Sequence, residues 1–327
     1  MDTFINLKNN FPRIEKDILL KDYSTFRIGG PAKYFLRTSD KKELKKIVEI
    51  ATQEKIKFLV IGGGSNILFS DKGFDGLVVV YRSENLKKEN FNIEKKDKGE
   101  NVTVKVDASI PLFFLISELK NLSGLEWGVG IPGTLGGAIN GNAGASGESI
   151  SDSIQSVDII DVSSGSIVER KMKKKECLFA YRTSIFKNNS DLLIVSAELN
   201  LMKDDEEEIK KRIADNLNKR KVKQPKGFSA GSVFKNYYGK LEESVLKEYP
   251  QLKIFSEKEI VPTGLLIELC GLKGKQIGDA KISDEHANFI INLKNATADD
   301  VMSLINLIKK SVKEKFLVDL IEEIKFF

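Results

Sequence analysis

Residues 128–147 read GVGIPGTLGGAINGNAGASG, and the interpretation of the whole chain begins with this stretch. Eight of its twenty residues are glycine, although the chain of 327 residues has only 25. Glycine in an ordered element costs about 0.5–1 kcal/mol relative to alanine, so it is kept where the backbone needs positive φ or a close approach. Linkers are polar throughout, whereas apolar residues are interleaved here, namely Val129, Ile131, Leu135, Ala138 and Ile139. We therefore predict ordered turns that pack against a partner.

A second glycine cluster, IGGGSN at residues 61–66, follows the apolar run FLVI at residues 58–61. This pattern predicts a short strand that ends in a turn rich in backbone N–H groups, and such nests bind anions, above all phosphates. Neither cluster matches the P-loop or the strand–GxGxxG–helix–acid pattern of a common dinucleotide site. Two glycine turns in one chain of this size predict a long, phosphate-bearing ligand held mainly by backbone.

The composition is that of an ordinary globular protein. The length predicts two or three domains, and 41% hydrophobic residues suffice for a core in each. The 52 basic and 47 acidic residues leave a net charge of +5 that is spread along the chain, so no block of charge indicates nucleic-acid binding. The first residues contain no apolar signal segment, and no apolar run reaches the ~18 residues that span a bilayer. We expect a cytoplasmic protein that binds neither nucleic acid nor membrane.

The histidine and cysteine content excludes several kinds of site. His286 is the only histidine, which excludes a histidine-rich metal site and permits Ser-His-Asp hydrolysis only with His286 as the base. A structural role is the more common one for a single histidine. Cys177 and Cys270 form no CxxC pair, which indicates a reducing compartment and buried thiols. We expect no bound metal.

Residue periodicity predicts both strands and helices. Strand patterns occur at residues 57–64, 76–82, 101–109, 156–162 and 192–201, and VSSG at residues 162–165 predicts a hairpin turn. Pro111 opens a predicted helix that Gly124 caps, and further helices are predicted at residues 204–222 and 297–315, the last with Thr297 as N-cap. A final strand is predicted at residues 316–327. The pattern indicates an α+β architecture with at least two domains, and the helix at residues 204–222 marks a boundary.

Four motifs, in this order, resemble one enzyme family. They are STFRIGGPA at residues 24–32, GGGSN at 62–66, GIPGTLGGAINGNAG at 130–144 with YRTSIFK at 181–187, and SAGSVFKN at 229–236. Residues 265–300 continue the likeness. Together they are similar to the UDP-N-acetylenolpyruvoylglucosamine reductase family, flavoenzymes of bacterial peptidoglycan precursor synthesis, over roughly residues 20–327.

The resemblance implies an α+β fold in which a two-part FAD-binding domain of the vanillyl-alcohol-oxidase type precedes a smaller substrate-binding domain. The expected segments are residues 1–85 and 86–215 for FAD and 216–327 for substrate, with the last strand returning toward the flavin. The resemblance also implies NADPH-dependent reduction of UDP-N-acetylglucosamine enolpyruvate to UDP-N-acetylmuramate by a monomer. FAD is expected to be noncovalent, because the glycine clusters contain no histidine to attach it.

The resemblance assigns both glycine clusters to FAD. A backbone without side chains can approach the FAD pyrophosphate closely and hold it with N–H groups. The implied FAD-binding residues are Gly62, Gly63, Gly64, Ser65, Asn66, Gly130, Pro132, Gly133, Thr134, Gly136, Gly137, Asn142 and Gly144. The redox chemistry then belongs to the cofactor, and the protein positions it.

Three residues are implied to act on the substrate. Ser232 in SAGSVFKN is implied to donate the proton, and a chain with one histidine favours such a non-histidine acid. Arg182 in YRTSIFK lies in a segment whose apolar residues indicate partial burial, and a buried arginine needs an anionic partner. The resemblance makes that partner the substrate carboxylate, which the bidentate guanidinium suits.

The third residue is a glutamate in the terminal sequence LIEEIKFF. The family register, with apolar residues three before and one after the glutamate, selects Glu323. Strand alternation instead groups Glu322 with the apolar positions Leu320 and Ile324. Both glutamates remain candidates, with Glu323 preferred. Glu322 and Ile321 also depart from the family pattern, which usually has Pro and Glu at these two positions.

Further binding residues are also implied. Lys223, Asn236 and Tyr181 match substrate-binding positions, although a solvated lysine and a turn asparagine are alternatives for the first two. The segment after Asn236, to about residue 262, cannot be placed from sequence. Two other functions remain open: an oxidase or dehydrogenase of a small alcohol or hydroxy acid on the same flavin fold, and a non-catalytic flavin- or nucleotide-sugar-binding protein.

Overall fold

The computed structural model describes residues 3–84, 86 and 94–327. The described residues form two compact units, each built from discontinuous segments. Unit 1 comprises residues from 1–18, 32–63 and 75–220, and unit 2 comprises residues 19–31, 64–74 and 221–327. The three contiguous segments expected from sequence stay a prediction, and residue 85, where the first boundary falls, lies outside the described residues.

Unit 1 contains a first sheet with two helices. Its strands are β1 (Glu15–Leu19), β2 (Pro31–Thr38), β3 (Phe58–Ile61) and β5 (Phe74–Tyr81), and its helices are α1 (Thr3–Asn10) and α2 (Lys41–Gln53). The strand order is β1-β2-β5-β3, and β3 pairs parallel with β5. Helix α2 buries Leu44, Ile47, Val48 and Ala51, which recur at helical spacing. The strands predicted at residues 57–64 and 76–82 are confirmed.

A second, antiparallel sheet forms most of the rest of unit 1. Its strands are β6 (Glu94–Lys98), β7 (Asn101–Asp107), β8 (Leu122–Ser123), β11 (Ile154–Asp161), β12 (Val168–Lys173) and β13 (Leu192–Lys203). The order is β12-β11-β13-β7-β6, with β8 added to the end of β13. The other three predicted strands are confirmed, and so is the hairpin, because Asp161 pairs with Val168 across the VSSG turn.

Short elements lie between the strands of this sheet, and a long helix follows its last strand, β13. They are α3 (Leu112–Glu118), α4 (Leu135–Gly141), β9 (Gly144–Ala145), β10 (Glu148–Ser149), α5 (Ile150–Ser153), α6 (Ile185–Asn188) and α7 (Glu206–Lys223). The 3-10 helices of the described chain include residues 20–23, 126–128, 174–177 and 250–252. Leu135, Ala138 and Ile139 are buried in the hydrophobic core around the second sheet, and Val129 and Ile131 pack against it. The prediction that the glycine-rich stretch is ordered is therefore confirmed.

Gly124 does not cap α3, so that prediction was wrong. The helix ends at Glu118 with Leu119 as its C-cap, and the chain becomes extended at β8 before it reaches Gly124. The N–H of Gly124 instead donates to the Glu126 carboxylate at 2.7 Å. Gly124 therefore belongs to the turn that precedes the buried Trp127, where its φ of +127° requires glycine.

Unit 2 is organised around one long helix. Its elements are β4 (Ile67–Leu68), β14 (Tyr237–Tyr238), α8 (Glu243–Glu248), α9 (Lys253–Glu257), β15 (Ile260–Val261), α10 (Thr263–Leu269), β16 (Gln276–Ile277), β17 (Ala280–Ile282), β18 (Ile290–Asn292), α11 (Ala298–Phe316) and β19 (Lys325–Phe326). Helix α11 begins at a capping box formed by Thr297 and Asp300, which confirms the predicted N-cap. Its apolar side forms much of the core of unit 2.

The segment that the sequence could not place is part of this core. Strands β14 and β15 pair antiparallel and close the segment at its base. Leu241, Val245, Leu252 and Val261 are buried with the residues of α11. Residues 237–262 are therefore folded into unit 2 rather than attached to its surface.

The predicted strand at residues 316–327 was wrong for most of its length. Helix α11 continues to Phe316, and Leu317 caps it in the left-handed conformation. The remaining residues pair with two different segments: Glu322 forms an isolated bridge with Phe234, and β19 pairs parallel with β4. Since the partner changes within a few residues, no single continuous strand forms.

In the ranges that the structure describes, no helix has both the length and the apolar character needed to cross a bilayer.

Candidate active site

The two glycine clusters meet inside unit 1. A Cβ atom built on Gly63 would lie 2.7 Å from the Cα atom of Gly133, and one built on Gly62 would overlap the Thr134 hydroxyl. Ordinary side chains at either position would separate the clusters. Glycine is therefore required here for backbone-to-backbone contact.

Three backbone N–H groups at this contact have no acceptor among the described residues. They belong to Gly63, Gly133 and Thr134, and Thr134 is buried. The next two amides do have acceptors: Leu135 donates to the Ile110 carbonyl and Gly136 to the Ala108 carbonyl, both at 2.9 Å. Unpaired backbone donors in a partly buried place are rare. Their clustering forms a nest that fits an anionic group such as a pyrophosphate.

Other glycines of the stretch make room for protein groups. A Cβ atom on Gly144 would lie 3.1 Å from Nη1 of Arg182, and one on Gly130 would lie 3.1 Å from Cδ of Arg220. A Cβ atom on Gly136 would lie 3.0 Å from the Cβ atom of Ala108. Ligand contacts of these three glycines therefore stay predictions, because the structure already gives each of them a packing reason.

Asn142 is built into the end of α4. It adopts the left-handed conformation with φ 44°, its Nδ2 donates to the Ala180 carbonyl at 2.9 Å, and its Oδ1 accepts from the Ser151 amide at 3.2 Å. These contacts tie α4 to the turn that carries Arg182. The predicted contacts of Asn142, Pro132 and Gly137 with a cofactor stay predictions.

Arg182 lies on a strained turn beside the glycine-rich stretch. Its φ is 53°, a conformation uncommon for a non-glycine residue. Its Nη2 donates to the Gly144 carbonyl at 2.6 Å, and its guanidinium lies 5.2 Å from the ring centre of Tyr181. Residues held in such a conformation by their surroundings are frequent at active sites.

Arg220 is a second cation in this region that the sequence reasoning missed. Its Nη2 donates to the Trp127 carbonyl at 3.0 Å. Burial lowers the pKa of Arg220, and the positive charge of Arg182 lowers it further. The positive charges of Arg182 and Arg220 lie near each other and make this part of unit 1 attractive to an anion.

Hydrogen bonds join parts of three sequence motifs and the chain terminus within unit 2. The Thr25 amide donates to the Gly64 carbonyl at 3.1 Å, and the Thr25 hydroxyl donates to the Ser229 carbonyl at 2.8 Å. Asn66 donates from Nδ2 to the Glu323 carbonyl at 3.2 Å. The motifs at residues 24–32, 64–66 and 229–236 and the chain terminus are thus one connected structure.

Ser232 follows a tight turn in this junction. Gly231 has a φ of +78°, and a Cβ atom built on it would meet nothing within 4 Å. Ser232 pairs with Phe289 through an isolated antiparallel bridge. The hydroxyl of Ser232 is half-buried and has no hydrogen-bond partner within the described chain. Ser232 is therefore a partly exposed residue that directly follows the turn.

The two terminal glutamates, Glu322 and Glu323, make different contacts. Glu322 lies opposite Phe234, and its carboxylate forms an ion pair with Lys309 at 2.8 Å. The Glu323 amide donates to the Val233 carbonyl at 2.8 Å, one residue from Ser232. Glu323 is thus fixed against the Ser232 segment on one side and Asn66 on the other, whereas Glu322 is held by α11.

The remaining predicted residues of unit 2 are placed as follows. Lys223 is exposed at the last residue of α7, and Ser65 is half-buried. Asn236 accepts from the Thr263 amide at 3.3 Å, which ties it to the start of α10. Binding roles for these residues stay predictions.

His286 packs on the ring of Phe289 and accepts from the Asn288 amide at 3.2 Å, and burial lowers its pKa. Cys177 is buried, with its pKa raised by burial to about 11, whereas Cys270 is only partly buried, contrary to expectation. Across the described residues, no three His, Cys, Asp or Glu side chains are arranged to hold a metal ion.

Both halves of the chain are similar to known protein families. Residues 32–170 match the FAD binding domain family, and residues 223–327 match the C-terminal domain of UDP-N-acetylenolpyruvoylglucosamine reductase. The reductase of that name from Caldanaerobacter subterraneus subsp. tengcongensis is 37% identical over 94% of this chain and 91% of its own length. This chain belongs to the UDP-N-acetylenolpyruvoylglucosamine reductase family.

Two further relatives agree with this assignment. The reductase from Clostridioides difficile is 35% identical over 99% of this chain and 97% of its own length. The crystal structure of the reductase from Thermus caldophilus is 32% identical, with a TM-score of 0.72 over 96% of this chain and 99% of that one.

Family membership confirms several predictions from sequence. The chain is an FAD-dependent oxidoreductase with an α+β fold that combines an FAD-binding domain of the vanillyl-alcohol-oxidase type with a second α+β domain. It acts on small molecules, as a nucleotide-sugar reductase does. Membership favours the reductase over a small-alcohol oxidase and over a non-catalytic binding protein.

Sequence reasoning missed Asn288, which supports the Ser232 segment directly. Its side chain donates to the Phe234 carbonyl at 2.8 Å and accepts from the Phe234 amide at 3.0 Å. Its own carbonyl accepts from the Val233 amide at 2.8 Å. The only available signal was a buried-type asparagine inside the apolar run ANFII, which does not reveal a partner 54 residues away.

Proposed function

We propose that this chain reduces UDP-N-acetylglucosamine enolpyruvate to UDP-N-acetylmuramate in peptidoglycan precursor synthesis, with noncovalent FAD and with NADPH as the reductant. The observation that carries the proposal is the hydrogen bond between Glu323 and Val233, because it joins the terminal glutamate to the Ser232 segment in a chain of this family. We propose that the protein is a cytoplasmic monomer that binds neither nucleic acid nor membrane. Gel filtration of the purified protein tests whether it is a monomer.

The unpaired amides of Gly63, Gly133 and Thr134 would hold the FAD pyrophosphate, and bound FAD supplies the hydride for the reduction. The other predicted cofactor residues, including Gly62, would shape the same backbone. No histidine adjoins these segments, which supports a noncovalent cofactor.

Arg182 would pair with the carboxylate of the enolpyruvyl group. Its guanidinium is already oriented by the Gly144 carbonyl and by the Tyr181 ring, so little side-chain entropy is lost when an anion binds. Glu323, in its protonated form, would donate a hydrogen bond to the anion that forms next to the carboxylate, and electrostatic stabilisation of this kind is usually the largest contribution to such catalysis. Lys223, Asn236 and Tyr181 would contact the rest of the substrate.

Ser232 would deliver a proton from Oγ to the carbon that carries the enolpyruvyl carboxylate. Its hydroxyl has no competing partner in the described chain and the residue is partly exposed, which suits a group that must reach a substrate.

The test is stopped-flow absorbance of the two half-reactions of Ser232→Ala. NADPH oxidation requires no proton from Ser232, so flavin reduction should stay near the wild-type rate. Reoxidation by UDP-N-acetylglucosamine enolpyruvate should slow by at least ~100-fold, the effect of losing a positioned acid. Ser232→Cys, which keeps a transferable proton, should retain more activity, and Ser164→Ala on the exposed hairpin serves as control. Reoxidation of Ser232→Ala at the wild-type rate would exclude Ser232 as the acid.

A further inference from the structure

The motif STFRIGGPA at residues 24–32 has no part in the proposed chemistry, yet it contacts two segments that do. Residues 24–31 of this motif belong to unit 2, together with residues 64–74 and the Ser232 segment. Thr25 makes both contacts: its backbone N–H donates to the Gly64 carbonyl, and its hydroxyl donates to the Ser229 carbonyl at 2.8 Å. The two bonds use different atoms, so a side-chain substitution removes one and leaves the other.

The turn that leads to Ser232 depends on such outside support. It runs from Ser229 through Gly231, whose φ of +78° and empty surroundings give the turn no packing of its own at that residue. The hydrogen bond from the Thr25 hydroxyl holds the start of the turn. The hydrogen bond from the Val233 amide to the Asn288 carbonyl, 2.8 Å long, holds its end. Ser232 lies between these two anchors.

The anchors differ in what they do besides holding the turn. Asn288 also satisfies both backbone groups of Phe234, which is buried, so its loss would disturb the core. Thr25 is half-buried, and within the described chain its hydroxyl makes one hydrogen bond, to the Ser229 carbonyl. Removal of that hydroxyl therefore loosens the start of the turn with little effect elsewhere.

We propose that Thr25 is a positioning residue for Ser232: its hydroxyl holds the turn at the place from which Ser232 delivers the proton. This rests on the proposed function of Ser232. Small displacements of a reacting group slow catalysis steeply, since a shift of about 1 Å can cost ~100-fold. Loss of one anchor out of two is expected to slow proton delivery by about tenfold.

The test compares Thr25→Val, which keeps the shape and the backbone bond to Gly64, with Thr25→Ser, which keeps the hydroxyl. Reoxidation of reduced Thr25→Val by UDP-N-acetylglucosamine enolpyruvate should slow by about tenfold. Its solvent deuterium isotope effect should rise, because proton delivery then limits the rate. Reduction by NADPH and the Kd for FAD should stay within about twofold of wild type, and Thr25→Ser should restore reoxidation. Thr52→Val is the matched control, since Thr52 makes the same kind of bond to the Val48 carbonyl at 2.8 Å on α2.

Equal reoxidation rates and isotope effects for Thr25→Val and wild type would overturn the proposal. Equal losses in both half-reactions would also overturn it, because they indicate general damage. If Thr25→Val does not fold, Thr25→Ala and Thr25→Ser form a second pair that differs in the hydroxyl, and equal rates for that pair refute the role. Failure of the proposed function looks different: wild-type protein reduced by NADPH would then not be reoxidised by the nucleotide sugar at all.

Discussion

The contact between the two glycine clusters predicts a large effect for Gly63→Ala. The new Cβ atom would lie 2.7 Å from the Cα atom of Gly133 and 3.3 Å from its nitrogen, whereas ordinary contacts begin at 3.4 Å. The neighbouring backbone would have to retreat by about 0.7 Å, and no rotamer change can relieve a clash between main chains. Gly63 does not have positive φ, so the effect is steric rather than conformational.

Overpacking of this kind costs about 1–3 kcal/mol. We expect urea unfolding of the FAD-free protein to show that loss in the free energy of unfolding of Gly63→Ala. The Kd for FAD, measured by fluorescence titration, should rise by at least about tenfold, because the displaced amides of Gly63 and Gly133 form the proposed nest.

Gly141→Ala is the matched control for this experiment. It lies in the same glycine-rich stretch, within α4, with no atom inside 4 Å of its new Cβ atom and no positive φ. Alanine should stabilise this helix by about 0.5–1 kcal/mol. A Gly63→Ala protein as stable as wild type would refute the contact, and lowered stability with unchanged FAD affinity would refute the nest.

Three further predictions follow from other parts of the chain. Glu322→Gln should leave reoxidation by the nucleotide sugar unchanged and lower the free energy of unfolding by less than about 1 kcal/mol, because it removes only a partly exposed ion pair with Lys309. Glu323→Gln should slow reoxidation by ~100-fold. The reverse order of the two reoxidation rates would select Glu322. Glu169 has a pKa lowered to about 2 by hydrogen bonds from Lys41 and Lys45, so the stabilisation from these exposed pairs is present above the ordinary value of 4.5 and is lost as the pH falls toward 2. Urea unfolding of Glu169→Gln should therefore show a small deficit at pH 7, below about 1 kcal/mol after solvent screening, that vanishes near pH 2; a deficit independent of pH contradicts the pairing. Acid precipitation should release the flavin into the supernatant, since no histidine adjoins the glycine clusters, and colour retained in the pellet would show a covalent link.

Local patterns predicted the elements whose formation depends on nearby residues. The strands at β3, β5, β7, β11 and β13 follow from runs of β-branched and apolar residues, and the hairpin follows from turn chemistry. The start of α11 follows from the capping box of Thr297 and Asp300. The terminal segment failed because pairing of a strand depends on its partner: residues 321–323 pair with 233–235, and residues 325–326 with 67–68.

The sequence by itself determined the family, the FAD-binding class of the fold and the ordered character of the glycine-rich stretch, because these depend on residue types at fixed local spacing. Only the tertiary structure decided which residues touch. Thr25 meets Ser229 across 204 residues and Asn66 meets Glu323 across 257, and no local spacing encodes such contacts. The same holds for the glycines: the sequence indicates a need for close approach, but the folded chain decides that Gly63 meets Gly133 while Gly130 and Gly144 make room for arginines. The physical reason is that a glycine specifies the absence of a side chain, whereas the group that fills the space comes from a distant part of the chain.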